Sequence, residues 1–186
     1  MRCTIAGLAV ALAIYHVGCS PRPSPLETTG AVTPLPKPVL QGTMSVEEAL
    51  AQRRSVRSFI DQELSAEEIG QLLWAAQGVT DPRGLRAAPS AGALYPIELY
   101  VLTPEGLYHY RPGSHSLGAV VAGDLREPLW QAALQQDALR DAPAVFVITA
   151  EHQRTAAKYG ERAVRYVHME AGHAAQNLLL QAVALG

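Results

Sequence analysis

The sequence predicts an α+β fold, in which helices pack in layers against a sheet. Two observations favour this class over a doubly wound parallel sheet. Helical and strand patterns follow one another without the regular alternation of βαβ units, and a hairpin of β-branched and aromatic residues occupies 97–110, with its turn at Pro104 to Gly106. With 186 residues, of which 48% are hydrophobic and 17% charged, the chain suits one domain with a sizeable core.

The predicted helices begin at capping sequences and continue with apolar spacing. Ser45 stands three residues before Glu48, and Ser65 three before Glu68, so each pair forms a capping box. Asp124 occupies the same position before a third helix. The last helix is long and carries alanine along one face, which suits close packing in a core or at a dimer seam. These patterns predict helices over 45–54, 65–78, 124–136 and 161–185, and strands over 97–103, 107–110 and 144–149.

The first residues read as an export signal. Arg2 precedes an apolar run of 14 residues, from 4 to 17, which is signal-peptide length and short of the roughly 20 residues that span a bilayer. The run ends at Gly18-Cys19-Ser20, which resembles a bacterial lipoprotein cleavage box, although His16 stands where such boxes usually carry Leu. Cleavage there would make Cys19 a lipid-carrying N-terminus. An ordinary signal peptide and a misassigned start codon are the alternatives.

A proline-rich stretch follows the apolar run. Six prolines lie between residues 20 and 42, and such a density favours an extended spacer. We therefore expect a signal peptide over 1–19, a linker over 20–43 and a folded domain over 44–186, exported and anchored to a membrane on the periplasmic side. A cytoplasmic protein is the alternative. Cys3 and Cys19 are the two cysteines, so the body has no oxidisable thiol, which fits an oxidising compartment.

Composition and missing motifs exclude several functions. The net charge is −2 and the pI about 6.3, without the basic excess of nucleic-acid or membrane-surface binders, so we expect membrane contact through the lipid anchor alone. The sequence contains no His-Glu-x-x-His arrangement and no cysteine in its body, so no metal site is expected. It also lacks Gly-x-Gly-x-x-Gly and Walker phosphate-binding loops.

A basic cluster follows the first predicted helix. Arg53, Ser55 and Arg57 alternate, so in an extended chain their side chains point to one side. Arginines grip phosphate oxygens in a two-pronged fork, whereas Arg53 and Arg54 could simply complement the negative end of the helix. That simpler reading leaves Ser55 and Arg57 unexplained.

A second motif, 89–96, precedes the first strand of the hairpin. Its sequence, Pro-Ser-Ala-Gly-Ala-Leu-Tyr-Pro, is small and contains Gly92, so its backbone can lie flat against a planar ligand. The alternative is a simple turn into the strand. A phosphate cradle together with a thin backbone shelf is what a flavin mononucleotide (FMN) site requires.

Together these segments resemble the nitroreductase-like flavoproteins, and within them the SagB/ThcOx-type dehydrogenases. The resemblance covers 44–186 and implies a central, mainly antiparallel sheet flanked by helices, bound FMN, a small-molecule substrate and a homodimer. It implies that the basic cluster holds the flavin phosphate and ribityl chain, and that the second motif lies beside the flavin ring of the dimer-related site. The cofactor-binding residues so implied are Arg53, Arg54, Ser55, Arg57, Pro89, Ser90, Ala91, Gly92 and Leu94.

A third segment, 158–166, also resembles the family. In the azoline-oxidising branch a Lys-Tyr pair here is thought to remove a proton, which makes Lys158 and Tyr159 candidate catalytic residues; a lysine with a pKa lowered by burial would be a competent base. A solvated lysine and a packing tyrosine are the alternative.

The function implied is hydride transfer through flavin N5 in a ping-pong mechanism, with donor and acceptor undetermined. The resemblance also implies that family members continue beyond Gly186 with another strand and more flavin contacts. An inactive flavin-binding or structural domain left by truncation is therefore the alternative function.

Overall fold

The computed structural model describes residues 8–12 and 30–186. Its strands form a six-stranded sheet with the order β1-β6-β3-β4-β5-β2. The five strands from β6 to β2 are antiparallel to their neighbours, and β1 pairs parallel with β6. The strands are β1 Leu8–Leu12, β2 Val32–Pro34, β3 Ile97–Thr103, β4 Gly106–Arg111, β5 Ser116–Ala122 and β6 Ala144–Ala150.

Helices flank this sheet, which confirms the predicted α+β class and the mainly antiparallel sheet. Two short 3₁₀ turns, Ala91–Ala93 and Gly160–Arg162, adjoin them. The helices are α1 Val46–Gln52, α2 Ala66–Gln77, α3 Arg126–Ala132, α4 Asp137–Asp141, α5 His152–Tyr159 and α6 Ala163–Leu185.

Both predicted capping boxes are confirmed. The Ser45 hydroxyl accepts the Glu48 amide proton while the Glu48 carboxylate accepts that of Ser45, and Ser65 and Glu68 repeat the arrangement. The predicted cap at Asp124 is wrong, because its carboxylate instead binds the amide and guanidinium of Arg126. The third helix accordingly begins later than predicted.

The main core lies between the sheet and the helices α2 and α6. The apolar face of α6 points into this core through Val167, Ala171, Ala174 and Leu178, which are buried. Of the two roles left open for the alanine face, the structure selects core packing. The opposite face is exposed, and a Cβ on Gly172 would meet no atom within 4 Å. No close packing among the residues that the structure describes explains this glycine.

The folded domain begins before Met44. Val32–Pro34 pairs with β5, Leu35 packs against the main core, and the Gln71 amide group binds both backbone polar atoms of Val39. The part of the predicted linker from residue 30 onward is thus held on the domain, because the sheet edge and Gln71 satisfy its polar backbone groups. Residues 20–29 lie outside the described residues.

The N-terminal predictions concern residues that the structure describes in part. Cys19 lies outside the described residues, whereas Leu8–Leu12 forms β1. Because a chain cleaved before Cys19 would lack β1, the strand and the cleaved signal are alternative fates of one apolar run. The export signal stays a prediction. Among the residues described, no helix is long and apolar enough to cross a membrane.

Candidate functional site

The predicted basic cluster lines a cleft of about 630 Å³. The chain leaves α1 at Arg53 in an extended conformation (φ −55°, ψ 121°), which aligns the segment along the cleft. All four predicted phosphate-binding residues, Arg53, Arg54, Ser55 and Arg57, lie on its wall, and the C-terminal end of α6 faces them. The cleft is within the size range of small-molecule sites.

The three arginines of the cluster differ in their hydrogen bonds. Arg54 donates from Nη1 to the carbonyl oxygens of Ala51 and Arg53, at 2.9 and 2.7 Å, so it closes the negative end of α1. The guanidinium groups of Arg53 and Arg57 have neither a hydrogen-bond nor an ion-pair partner among residues 30–186. Two unpaired guanidinium groups at the wall of a cleft suit an anionic ligand.

The second motif forms a tight loop at the start of β3. The loop contains a 3₁₀ turn, Ala91–Ala93, and Gly92 adopts the left-handed conformation that glycine favours, with φ 65°. The Ser90 hydroxyl accepts the Tyr95 amide proton at 2.8 Å, and Arg154 donates to the Tyr95 carbonyl at 3.0 Å. Glu170 accepts the Ala91 amide proton at 2.9 Å. The loop is therefore fixed by side chains from two helices.

The Lys-Tyr pair lies directly on this loop. A Cβ added to Gly92 would lie 2.9 Å from both Lys158 Nζ and Tyr159 Oη. The ammonium and the phenol thus converge on one point of the loop, and only a residue without a side chain leaves room for them. The Tyr159 ring also packs edge-on against Tyr166 with a centroid distance of 5.0 Å. The structure brings together two motifs that the sequence placed 66 positions apart (Gly92 to Lys158).

A network of charged side chains lies beneath the loop, and the sequence-based predictions did not include it. Glu98 on β3 forms an ion pair with Arg154 of α5 and lies 2.7 Å from His109 Nε2. Burial by itself would raise the pKa of the Glu98 carboxyl, but the hydrogen bond from His109 and the charge of Arg154 outweigh it and hold that pKa below its usual value. Burial lowers the pKa of nearby Arg86, whose guanidinium stacks 4.4 Å from the Tyr95 ring centroid.

A sequence signal for two of these residues does exist. Glu98 is the charged residue of an otherwise apolar strand, and Glu170 interrupts the apolar face of α6. Charged residues at core positions require a specific partner, so both positions could have been singled out. Their partners, a guanidinium and a loop amide, could not be identified without the fold.

The cleft and the loop occupy different stretches of α6. Glu170 contacts the loop, whereas Leu179 and the residues from Ala182 onward line the cleft. At a rise of about 1.5 Å per residue, Leu179 and Ala182 lie about 14 and 18 Å from Glu170 along the helix. The two halves of the predicted flavin site therefore contact different stretches of one helix. The described residues contain no cluster of His, Cys, Asp or Glu able to hold a metal ion.

Several known proteins are similar to this chain in sequence and in fold. The sequence pattern of the nitroreductase family matches residues 50–186, so the chain belongs to the nitroreductase family. A candidate nitroreductase of Methanocaldococcus jannaschii is 44% identical over 149 residues, covering 77% of this chain and 75% of that protein. The trifolitoxin-processing protein TfxB of Rhizobium leguminosarum is 31% identical over 146 residues, covering 68% of this chain but 39% of that longer protein.

Solved structures agree with this assignment. A candidate nitroreductase from Ralstonia eutropha matches with a TM-score of 0.75 and 34% identity, covering 91% of this chain and 79% of that one. A candidate nitroreductase from Desulfovibrio desulfuricans, solved in complex with FMN, matches with a TM-score of 0.53 and 25% identity, covering 75% of this chain and 63% of that one. The nitroreductase fold is therefore shown, and one structural neighbour carries FMN.

Proposed function

We propose that this chain is an FMN-dependent oxidoreductase of the SagB type that transfers hydride through flavin N5. The observation that carries the proposal is the convergence of Lys158 and Tyr159 on Gly92. It gives the chain a pair of proton-carrying groups on a loop thin enough to face a planar ring. The similarity to TfxB, a processing protein, supports the SagB branch.

The chemistry of the cleft fits the phosphate of FMN. Arg53 and Arg57 can each donate several N–H groups to phosphate oxygens, and Ser55 between them adds a hydroxyl donor. Arg54 is committed to the end of α1, so its proposed contribution is electrostatic. When bound, FMN supplies a two-electron carrier that exchanges hydride at N5.

Lys158 and Tyr159 are proposed to manage the proton that accompanies this exchange. Lys158 Nζ and Tyr159 Oη, which lie close to the same point of the loop, are proposed to relay a proton between the substrate and solvent. Tyr159 is half-buried and Lys158 exposed, so the pair is open to a substrate from solvent.

A homodimer is proposed to bring the two halves of the site together. If two copies of α6 cross antiparallel with their centre near Gln176, then Glu170 of one copy lies opposite Ala182 of the other. The loop would then approach the second copy's arginine cleft. Gln176 and Gly172 are exposed, and the open space at Gly172 would accept a side chain of the second helix. A flavin-loaded monomer in sedimentation would contradict this arrangement.

The decisive test of cofactor binding is the double variant Arg53→Ala/Arg57→Ala in the full-length chain. Each lost charge-assisted contact is worth about 1.5–3 kcal/mol, so the pair should weaken FMN binding by a factor of about 10² to 10⁴. Equilibrium dialysis or flavin fluorescence measures the loss. Arg83→Ala is the matched control, because Arg83 is exposed and paired with Asp81. Equal FMN affinity in both variants would refute the phosphate assignment.

The proton role is tested by Lys158→Met and Tyr159→Phe in FMN-loaded protein. Both variants should keep FMN, because neither residue belongs to the arginine cleft, while the rate of flavin reduction by substrate should fall by a factor of about 10² to 10⁴. Stopped-flow absorbance measures this rate, and each trace is normalised to the amount of flavin that dithionite can reduce. Unchanged rates in both variants would show that the flavin is reduced without help from Lys158 or Tyr159.

We also propose that the protein is exported and anchored through lipid on Cys19, with cytoplasmic residence as the alternative. The charged start, the apolar run and Gly18-Cys19 support it. Labelled fatty acid should enter the wild type but not Cys19→Ser. Wild-type protein that stays unlabelled with residues 1–18 intact would refute the proposal and favour the β1 strand as the fate of that run.

A further inference from the structure

Glu170 is the charged side chain that the described part of the chain buries most completely. It is 4% exposed, and no cation among residues 30–186 forms an ion pair with it. Its Oε1 accepts a hydrogen bond from the Ala91 amide at 2.9 Å. A carboxyl group loses hydration on burial and needs compensation, so its retention on the core-facing side of α6 calls for a reason other than packing.

The position of the accepted N–H group supplies that reason. Ala91 begins the 3₁₀ turn whose next residue is Gly92, in the left-handed conformation. The direction of the Ala91 N–H bond sets where the chain enters this turn. A Cβ placed on Gly92 would lie 2.9 Å from Lys158 Nζ and from Tyr159 Oη, so both groups border this glycine. The Glu170 carboxyl thus binds the residue next to the one that the proposed proton-transfer pair borders.

The loop is held at its other end by a separate contact. Arg154 donates to the Tyr95 carbonyl and is itself paired with Glu98. Arg154 lies on α5 one turn before Lys158, so this contact fixes the helix that carries the pair. Glu170 fixes the glycine that the pair rests on. The loop therefore has a separate support from each helix.

We propose that Glu170 is a positioning residue: as a hydrogen-bond acceptor for Ala91, it holds Gly92 beneath Lys158 and Tyr159. The clamp itself is a property of the fold, whereas its effect on a reaction rests on the proposed function. The acceptor oxygen matters rather than the charge, so an amide side chain of the same shape can replace the carboxyl.

Amide hydrogen exchange of the full-length, flavin-free protein tests the clamp by nuclear magnetic resonance. Glu170→Ala should accelerate exchange of the Ala91 amide by about tenfold or more, the equivalent of one lost hydrogen bond. Glu170→Gln should keep it within about threefold of wild type. The control is Asn177→Ala, which removes another hydrogen bond from an α6 side chain to the backbone, in which Asn177 donates to the Ala75 carbonyl, and which should leave Ala91 unchanged.

The outcomes separate cleanly. A protected Ala91 amide in Glu170→Ala overturns the clamp, as does rapid exchange in Glu170→Gln. If Glu170→Ala does not fold, Glu170→Gln decides alone: wild-type protection of Ala91 supports an acceptor role and loss of protection refutes it. None of these results depends on bound flavin, so the clamp can fail or stand independently of the proposed function.

The FMN-loaded protein then tests the consequence. Because the loop is also predicted to face the flavin, the rate is measured per bound FMN at saturating FMN. With a thiazoline-containing peptide as the probe, which gives hydride to the flavin and a proton to the Lys-Tyr pair, Glu170→Ala should reduce flavin about 10 to 100 times more slowly, as displaced catalytic groups do. The pH profile of reduction should shift in Glu170→Ala and be restored in Glu170→Gln. An unaltered rate and pH profile in Glu170→Ala would overturn the link to Lys158 and Tyr159. Absence of FMN from the wild type would instead refute the proposed function.

Discussion

The substitution Gly92→Ala tests how tightly the loop and the Lys-Tyr pair fit. Gly92 has φ 65°, and its new Cβ would lie 2.9 Å from Lys158 Nζ and 2.9 Å from Tyr159 Oη. Ordinary contacts between carbon and nitrogen or oxygen are longer than this. Both side chains must therefore move away from the point where they now converge.

The energetic cost has two separable parts. Holding alanine in the left-handed region costs about 1–2 kcal/mol. Moving the two side-chain ends costs little more, because Lys158 is exposed and Tyr159 half-buried. We therefore expect a loss of about 1–2 kcal/mol in the free energy of unfolding. The rate of flavin reduction should fall further, by about 10 to 100 times, because proton transfer depends steeply on position.

Gly84→Ala provides the matched control for this substitution. Gly84 also has a positive φ, of 85°, but its Cβ would meet no atom within 4 Å. The Gly84→Ala variant should lose as much free energy of unfolding, measured in urea, as Gly92→Ala. Its FMN-loaded form should keep the wild-type rate of flavin reduction. Equal rates in the two variants would refute the reasoning, since the backbone penalty alone would then account for everything observed.

Three further predictions concern stability and assembly. Glu98→Gln should lower the free energy of unfolding by about 1–3 kcal/mol at neutral pH. Because the folded pKa of Glu98 lies below its ordinary value of 4.5, the difference between variant and wild type should shrink as the pH falls through that lowered pKa. A difference that does not change with pH in urea titrations would contradict this. Ser65→Ala should lower the free energy of unfolding by about 1 kcal/mol through loss of the α2 capping box, whereas Ser58→Ala, at an exposed position outside any helix, serves as its control. Gly172→Ala should stabilise a monomer by about 1 kcal/mol through helix propensity, but in the proposed dimer it should weaken association in sedimentation; stronger association would argue against a contact there.

The regular elements could be predicted because their signals are local. Capping boxes place α1 and α2 at the right residues, the hairpin of β-branched and aromatic residues places β3 and β4, and a continuous apolar run places β6. The missed elements lack such signals. The β5 strand contains Gly118 and three small residues, and the α5 helix is short and polar, so its formation depends on the anchoring of Arg154 by Glu98. Tertiary contacts, rather than propensity, decide both.

The sequence singles out the arginine cluster, the Gly92 loop and the Lys-Tyr pair as candidate site residues, and their roles stay predictions. The sequence did not predict that the last two lie together, as the structure has them. The partners of the supporting carboxylates could not be predicted, because the amide that Glu170 binds lies 79 positions earlier in the chain. Long-range polar contacts of this kind depend on the complete fold.

The helix α6 explains why the two halves of the site need not be close in sequence or in one chain. One end of the helix forms a wall of the arginine cleft, and its middle supports the loop beneath the Lys-Tyr pair. An α-helix is stiff over this length, so Glu170 and Ala182 stay about 18 Å apart along its axis. In the proposed homodimer, FMN would contact the arginine cleft of one copy and the loop of the other. Binding of that ligand and pairing of the chains would then be coupled, so that loss of the phosphate contacts in Arg53→Ala/Arg57→Ala should also weaken the dimer.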